Sequence, residues 1–290
     1  MEHKTFQTTY TEFWRGRSGL SFGVEKVLFD DQSPYQRVQV LQTDACGRLL
    51  TLDGLVMLTE WDEFVYHEMI SHPALCVLSN PRRVLVIGGG DGGTVREVLK
   101  HDSVEHVDLV EIDQMVVDVS REFFPSVAER FGDPRLTLHV RDGVEFVRDA
   151  PADSYDVVIV DSTDPVDFAE ALFGEAFYRD CARILREDGI LISQSESPFD
   201  PFFRETLTRA FADLSSILPV VRLYLAHIPT YPMGTWSFLA ASKKTDILGD
   251  FDRDKAQKRI APFASGLQYY TADVHIAAFA LPAFVQRIFV

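Results

Sequence analysis

The chain has 290 residues, 46% hydrophobic and 25% charged, which places it in the ordinary globular range with room for one large domain, or one large and one small. Its formal net charge of −16 argues against a nucleic-acid or anionic-membrane partner and suits a cationic ligand, although an acid surplus also serves simple solubility. Cys46, Cys76 and Cys181 are far apart without C-x-x-C spacing, so neither a disulfide framework nor a zinc site is expected, and Cys181 reads as a small buried hydrophobe. The polar N-terminus MEHKTFQTTYTEFW and the lack of any run of about 18 apolar residues predict a cytoplasmic protein without a signal peptide or membrane span.

From Leu20 to Leu58 the chain alternates in short segments, LSFGVEKVLF, YQRVQVLQT and GRLLTLDGLVML, with Asp53-Gly54 as a hairpin turn. That pattern predicts a small β-meander. At Thr59 the period changes: Thr59 and Asp62 are placed like a capping pair, and Trp61, Val65, Glu68, Met69 and His72 recur at helical spacing. A boundary near residue 60 follows, dividing an N-terminal unit, 1–60, from a catalytic unit, 61–290. From Val84 the strand-like runs RVLVIG, VDLVEI, RLTLHV, YDVVIVD and GILISQ alternate with helical segments near 94–100, 114–123, 143–149, 170–186 and 201–214. After Pro219, VVRLYLAHI and TWSFLAAS read as closing strands. The expected fold is α/β: a Rossmann-like, doubly wound, mostly parallel sheet behind a small N-terminal β-hairpin domain.

The stretch VLVIGGGDGGTVREVLKH carries Gly88, Gly90 and Gly93 at G-x-G-x-x-G spacing between a strand-like and a helix-like run. In a dinucleotide enzyme such a loop approaches pyrophosphate, which Asp91 in its middle would repel. The same residue therefore argues against NAD. In an open α/β sheet the ligand lies outside the carboxyl ends of the strands, and there the sequence delivers Asp91, Glu111, Asp142, and Asp161 with Asp164. Each acid alone could be a helix N-cap; capping does not explain all of them together. Glu111 lies 23 residues after Gly88, close to the offset at which an acid takes ribose hydroxyls. Asp142 is placed to accept from an adenine amino group. The rim thus predicts a nucleoside carrying a cation, such as a sulfonium with an amino tail.

These residues resemble the polyamine aminopropyltransferases. The matching stretches are YQ at 35–36, LDG at 52–54, TEWDEFVYHEM at 59–69, VIGGGDGGTVREVLKH at 86–101, EID at 111–113, DG at 142–143, DSTDP at 161–165, QSES at 194–197, IPTYPMG at 228–234 and YYTADVHIAAFALP at 269–282. The resemblance implies a methyltransferase-type sheet, a homodimer or homotetramer, no metal and no resident cofactor. It implies transfer of an aminopropyl group from decarboxylated S-adenosylmethionine, a co-substrate, to putrescine, giving spermidine and methylthioadenosine. Carried over by position, Gln36, Gly88, Gly90, Glu111, Asp142 and Gly143 hold the nucleoside, and Asp91 the donor's amine. Tyr66, His67, Asp161, Asp164 and Tyr231, with Trp14 and Glu196 further out, line the diamine channel. An alkylamine arrives protonated, and Asp161, helped by Tyr66, is the candidate to orient the nitrogen and accept its proton.

In many relatives DSTDP is followed, after one apolar residue, by Gly-Pro; here Pro165 and Val166 lead into Asp167 and Phe168. This bears on the acceptor, so cadaverine, agmatine and spermidine stay open, as does a putrescine N-methyltransferase using ordinary S-adenosylmethionine. A catalytically silent polyamine-binding protein is a third reading. Tyr66 and Trp14 also suit plain packing, Met57 reads as lining or core, and Lys243 and Lys244 as solvated surface. His67 and His72 lack the i,i+4 spacing of a helical metal pair. Tyr231, between Pro229 and Pro232, favours a pocket role over a helical core.

Overall fold

A computed structural model describes residues 8–14, 18–162, 172 and 174–289. Among these, two sheets form. The first is an antiparallel meander in chain order: β1 (Thr9–Trp14), β2 (Ser18–Gln32), β3 (Arg37–Thr43), β4 (Arg48–Leu52) and β5 (Leu55–Thr59). The sequence places the meander's start at Leu20; the structure begins it at Thr9, pairing Thr9–Trp14 with Gly23–Ser18. Glu12 is buried in this strand, so a charged residue at an inward position hid the alternation that marks strands.

The second sheet contains β6 (Arg83–Gly88), β7 (His106–Glu111), β8 (Leu136–Val140), β9 (Tyr155–Asp161), β10 (Leu185–Gln194), β11 (Val220–Ala226) and β12 (Trp236–Ser242), in the order β11-β12-β10-β9-β6-β7-β8. Strands β6 to β10 run parallel, and β12 is antiparallel to both its neighbours. This is the expected Rossmann-like, methyltransferase-type arrangement. Along β6, Val84 and Val86 enter the core on one face while Leu85 and Ile87 enter the other, the period-2 alternation of a strand covered on both sides.

Helices α1 (Glu63–Val77) and α2 (Gly93–Val98) cover the first face, joined from the C-terminal region by α7 (Arg253–Ile260) and α8 (Ala272–Ala278). On the other face lie α4 (Gly143–Asp149), α5 (Glu175–Ile184), α6 (Pro201–Ile217) and α9 (Ala283–Gln286). The remaining helix, α3 (Gln114–Phe123), packs Val116 and Val119 against Val38, Val40, Leu50 and Leu52 of the meander, which fixes the meander over the carboxyl ends of the parallel strands. The three helices after Ser242 have no counterpart in the sequence reading: RDKAQKRI of α7 is too polar to show an apolar stripe, and α8 and α9 are too short. Of the helix expected at 170–186, residues 170, 171 and 173 fall outside the described residues.

The capping pair at Thr59 and Asp62 is corrected. Asp62 precedes α1 but its carboxylate caps no helix amide. It accepts from Thr59 Oγ1 at 2.7 Å, and from the Thr230 amide at 2.9 Å and Thr230 Oγ1 at 2.8 Å. A buried carboxylate needs donors, and here they come from the loop that carries Tyr231. Glu68, one turn into α1, behaves alike, accepting the amides of Gln268, Tyr269 and Tyr270 at 2.8, 2.9 and 2.6 Å. No single described helix is long and apolar enough to cross a membrane.

Replacing Glu68 strands three amides at once. Glu68→Ala is expected to lower the unfolding free energy by about 3 kcal/mol, read from the urea midpoint at constant m-value; an unchanged midpoint contradicts this anchoring role.

Candidate active site

A cleft opens at the carboxyl ends of β6, β7 and β9, where strand order reverses between β6 and β9, the usual place for a ligand in this class of sheet. Gln36, Leu50, Leu52 and Met57 of the meander line one wall. The loop Gly88–Asp91, with Glu111, Asp142, Gly143 and Asp161, forms the other, and Tyr66, His67 and Tyr231 close one end. The structure thus brings together most of the predicted residues.

The glycines explain how. Gly88 sits opposite Asp161 in the β6–β9 register; its φ is +77°, and a Cβ there would lie 2.1 Å from the Asp161 carbonyl oxygen. Only glycine lets the two strand ends meet in this left-handed turn. A Cβ on Gly93 would fall within 2.3–2.5 Å of the His67 ring. The third glycine of the motif therefore makes room for an imidazole, and two of the loop's amides go to carboxylates: Gly90 N–H donates to Glu111 Oε2 at 3.1 Å, and Gly93 N–H to Asp91 Oδ1 at 2.7 Å.

Asp161 lies at the closed end. Its Oδ1 accepts from Tyr66 Oη at 2.5 Å and its Oδ2 from Thr94 Oγ1 at 2.6 Å. Burial, then the neighbouring Asp91 charge, pushes its pKa up, against the pull of His67, Thr94 and Tyr66. Asp91 moves the other way. Burial favours its neutral form, but His67 and the Gly93 amide outweigh burial and hold it below the ordinary carboxylate range. Burial pushes Glu111 up to about 7, with amide hydrogen bonds opposing. A ligand hydroxyl donating to Glu111 favours its ionised form. Burial and the Asp161 charge push the Tyr66 phenol well above its usual value, so it stays a proton donor to Asp161.

Gln36 and Asp142 are aimed by neighbours. Gln36 Nε2 donates to Asp113 Oδ2 at 3.0 Å, which leaves its carbonyl oxygen free to accept. Asp142 caps α4 by accepting the Val144 and Glu145 amides through Oδ1 alone, so capping and site placement coexist. Tyr66 packs its ring on Tyr231 and Phe238, 5.7 and 5.5 Å between centroids, and combines packing with its bond to Asp161. Tyr231 Oη donates to the Met57 carbonyl at 2.7 Å, tying its loop to the meander. Trp14 and Glu196 are buried but border neither this cleft nor its extension; the Trp14 indole N–H has no partner among the described residues. Asp164, Pro165, Val166, Asp167 and Phe168 lie outside the described residues.

On the far side of Tyr66 and Tyr231 lies a second cavity, which shares Met57, Tyr66, Ser162 and Tyr231 with the cleft and is lined also by Glu12, Leu55, Gln194, Pro232 and Trp236. Gln194 is locked there, donating to the Ser162 carbonyl at 3.0 Å and accepting from Trp236 Nε1 at 3.1 Å. Sequence reasoning missed Glu12, Thr94, Gln194 and Trp236. Thr94 follows the last motif glycine directly, a readable signal; Glu12 had none. Among the described residues no group of three or more His, Cys, Asp or Glu is arranged to hold a metal ion.

Comparison with known proteins agrees with this geometry. Residues 63–250 match the family described as the spermine/spermidine synthase domain, and residues 8–60 match the spermidine synthase tetramerisation domain. The chain is 46% identical over 278 residues to a polyamine aminopropyltransferase of Clostridioides difficile (strain 630), covering 96% of this chain and 97% of that one. It is 44% identical over 278 residues to the polyamine aminopropyltransferase of Bacillus subtilis (strain 168), with the same coverage. A spermidine synthase crystallised with the transition-state analogue AdoDATO superposes with a TM-score of 0.93 at 39% identity, covering 99% of this chain and 98% of that one. The spermidine synthase of Thermotoga maritima superposes with a TM-score of 0.91 at 40% identity, covering 99% and 96%.

Proposed function

This chain belongs to the spermine and spermidine synthase family of polyamine aminopropyltransferases, and from that premise we propose that it transfers the aminopropyl group of decarboxylated S-adenosylmethionine to putrescine, giving spermidine and methylthioadenosine. The observation that carries this reading is the pair of carboxylates at the closed end. Asp161 is held by two hydroxyl donors, and the neighbouring Asp91, which takes the Gly93 amide, puts a second negative charge in the loop where a phosphate would otherwise lie.

In this reading Glu111 takes the ribose hydroxyls, Asp142 and Gly143 face the adenine, and Gln36 accepts from the nucleoside. Asp91 pairs with the ammonium of the aminopropyl group. Ordinary S-adenosylmethionine would bring a carboxylate towards Asp91 and be repelled, which favours the decarboxylated donor and disfavours methyl transfer. The acceptor enters through the second cavity, whose Glu12 suits a distant ammonium and whose aromatic walls suit a methylene chain. Asp161 accepts a proton from the near ammonium. The freed nitrogen lone pair attacks the methylene next to sulfur, the C–N bond forms, and the C–S pair returns to sulfur as neutral thioether. Alignment in the cleft supplies much of the rate, since the sulfonium is already a good leaving group. No resident cofactor or metal has a part in this scheme.

The N-terminal unit, residues 1–60, is proposed as the assembly domain of a homotetramer, the premise being its match to a tetramerisation family.

The product assay offers decarboxylated and ordinary S-adenosylmethionine, each with putrescine, cadaverine, agmatine and spermidine. Spermidine and methylthioadenosine from the first donor with putrescine are expected; preference for another acceptor removes putrescine from the proposal. Asp161→Asn is expected to lower kcat by about 10²–10⁴ while methylthioadenosine binding stays within about threefold, and wild-type turnover contradicts its role. Light scattering should give four times the chain mass of 32.8 kDa; the monomer mass rules out assembly.

A further inference from the structure

His67 has a carboxylate at each ring nitrogen. Nδ1 lies 2.5 Å from Glu63 Oε2, and Nε2 lies 3.3 Å from Asp91 Oδ1. An ionised carboxylate only accepts, so a ring set between two of them is favoured as the imidazolium, which carries hydrogen on both nitrogens. Glu63 is itself clamped by the Arg96 fork, NH1 to Oε1 and NH2 to Oε2, each at 2.9 Å. Arg96 in turn donates Nε to Glu97 Oε1 at 2.8 Å and NH1 to the Ser126 carbonyl at 3.3 Å. A bidentate guanidinium of this kind fixes direction as well as charge. A row of alternating charge therefore runs from the rim into the core: Asp91, His67, Glu63, Arg96, Glu97.

We propose that Glu63 is a positioning residue of the transfer reaction: backed by Arg96, it holds His67 as an imidazolium against Asp91, and that cation keeps Asp161 free to receive a proton. This role rests on the aminopropyl-transfer reading above. Asp91 and Asp161 share one buried rim, and two carboxylates so placed tend to retain one proton between them. A retained proton on Asp161 would occupy the position the acceptor amine's proton must take. The groups facing His67 are Glu63 and Tyr66 of α1, Asp91 of the loop after β6 and Asp161 of β9, with Arg96 of α2 behind Glu63; His67 is the cation that meets Asp91 directly. In agreement, burial alone would neutralise the ring, but Asp91 and Glu63 together hold its pKa up to about 10. Burial likewise works against the Glu63 charge, yet His67 and Arg96 bring its pKa down to about 2.

Two measurements test this. The first is ¹⁵N NMR of histidine-labelled wild-type protein without substrate: His67 should show both ring nitrogens protonated at about pH 8, where an unperturbed histidine is neutral. A neutral His67 there overturns the proposal, whatever the outcome of the product assay. The second is the pH profile of kcat/KM for Glu63→Gln, a near-isostere without the charge. Its His67 should lose its proton as pH rises, so activity should fall about tenfold below wild type near pH 9 but no more than about twofold near pH 7. Methylthioadenosine affinity, which does not use His67, should be unchanged. A profile parallel to the wild type's, or a uniform loss at every pH, contradicts the proposal.

Discussion

Like charges buried together repel, and the architecture of this cleft follows from holding Asp91 and Asp161 in one low-dielectric rim. Donors are gathered around them from separate parts of the chain. Tyr66 and His67 come from α1, Thr94 and the Gly93 amide from the start of α2. The glycines at positions 88 and 93 have no Cβ because a strand carbonyl and an imidazole occupy the space. A loop with the spacing of a phosphate-binding turn is thereby converted into a mount for anionic side chains, the charge that the proposed cationic ligand calls for.

The same economy extends outward. Asp62 and Glu68, both near the start of α1, tie the helix to distant segments, Asp62 to the loop carrying Tyr231 and Glu68 to the segment after residue 267. The helix that presents Tyr66 and His67 is therefore braced at its base, and the meander is held over the cleft by α3 and by the Tyr231–Met57 bond. Placement of the reacting groups depends on this bracing, because alignment of nitrogen, carbon and sulfur is the larger part of what the site has to supply.

Much of this was legible in the sequence. The five parallel strands announced themselves by apolar runs, four of them followed by acids, and position alone put Asp91, Glu111, Asp142 and Asp161 on one rim. The C-terminal helices were not legible, being short or polar. Nor was β1, where buried Glu12 breaks the alternation and yet lines the second cavity. Trp14 and Glu196, carried over from the resemblance, are buried away from both cavities. The capping role read for Asp62 failed because helix caps and tertiary anchors use the same residue types; which amide lies nearest is settled by loops far away in sequence. The Glu63–His67 spacing of four was readable in DEFVYHE, but its meaning depends on Asp91 and Arg96 arriving from other elements.

The most direct test of the central claim, that the glycine loop serves a cationic nucleoside, is calorimetric titration with decarboxylated S-adenosylmethionine, ordinary S-adenosylmethionine and NAD. The decarboxylated compound should bind at least about tenfold more tightly than the ordinary one, a difference of about 1.4 kcal/mol, with no measurable heat from NAD. Equal affinity for the two sulfonium compounds, or comparable binding of NAD, would contradict the account.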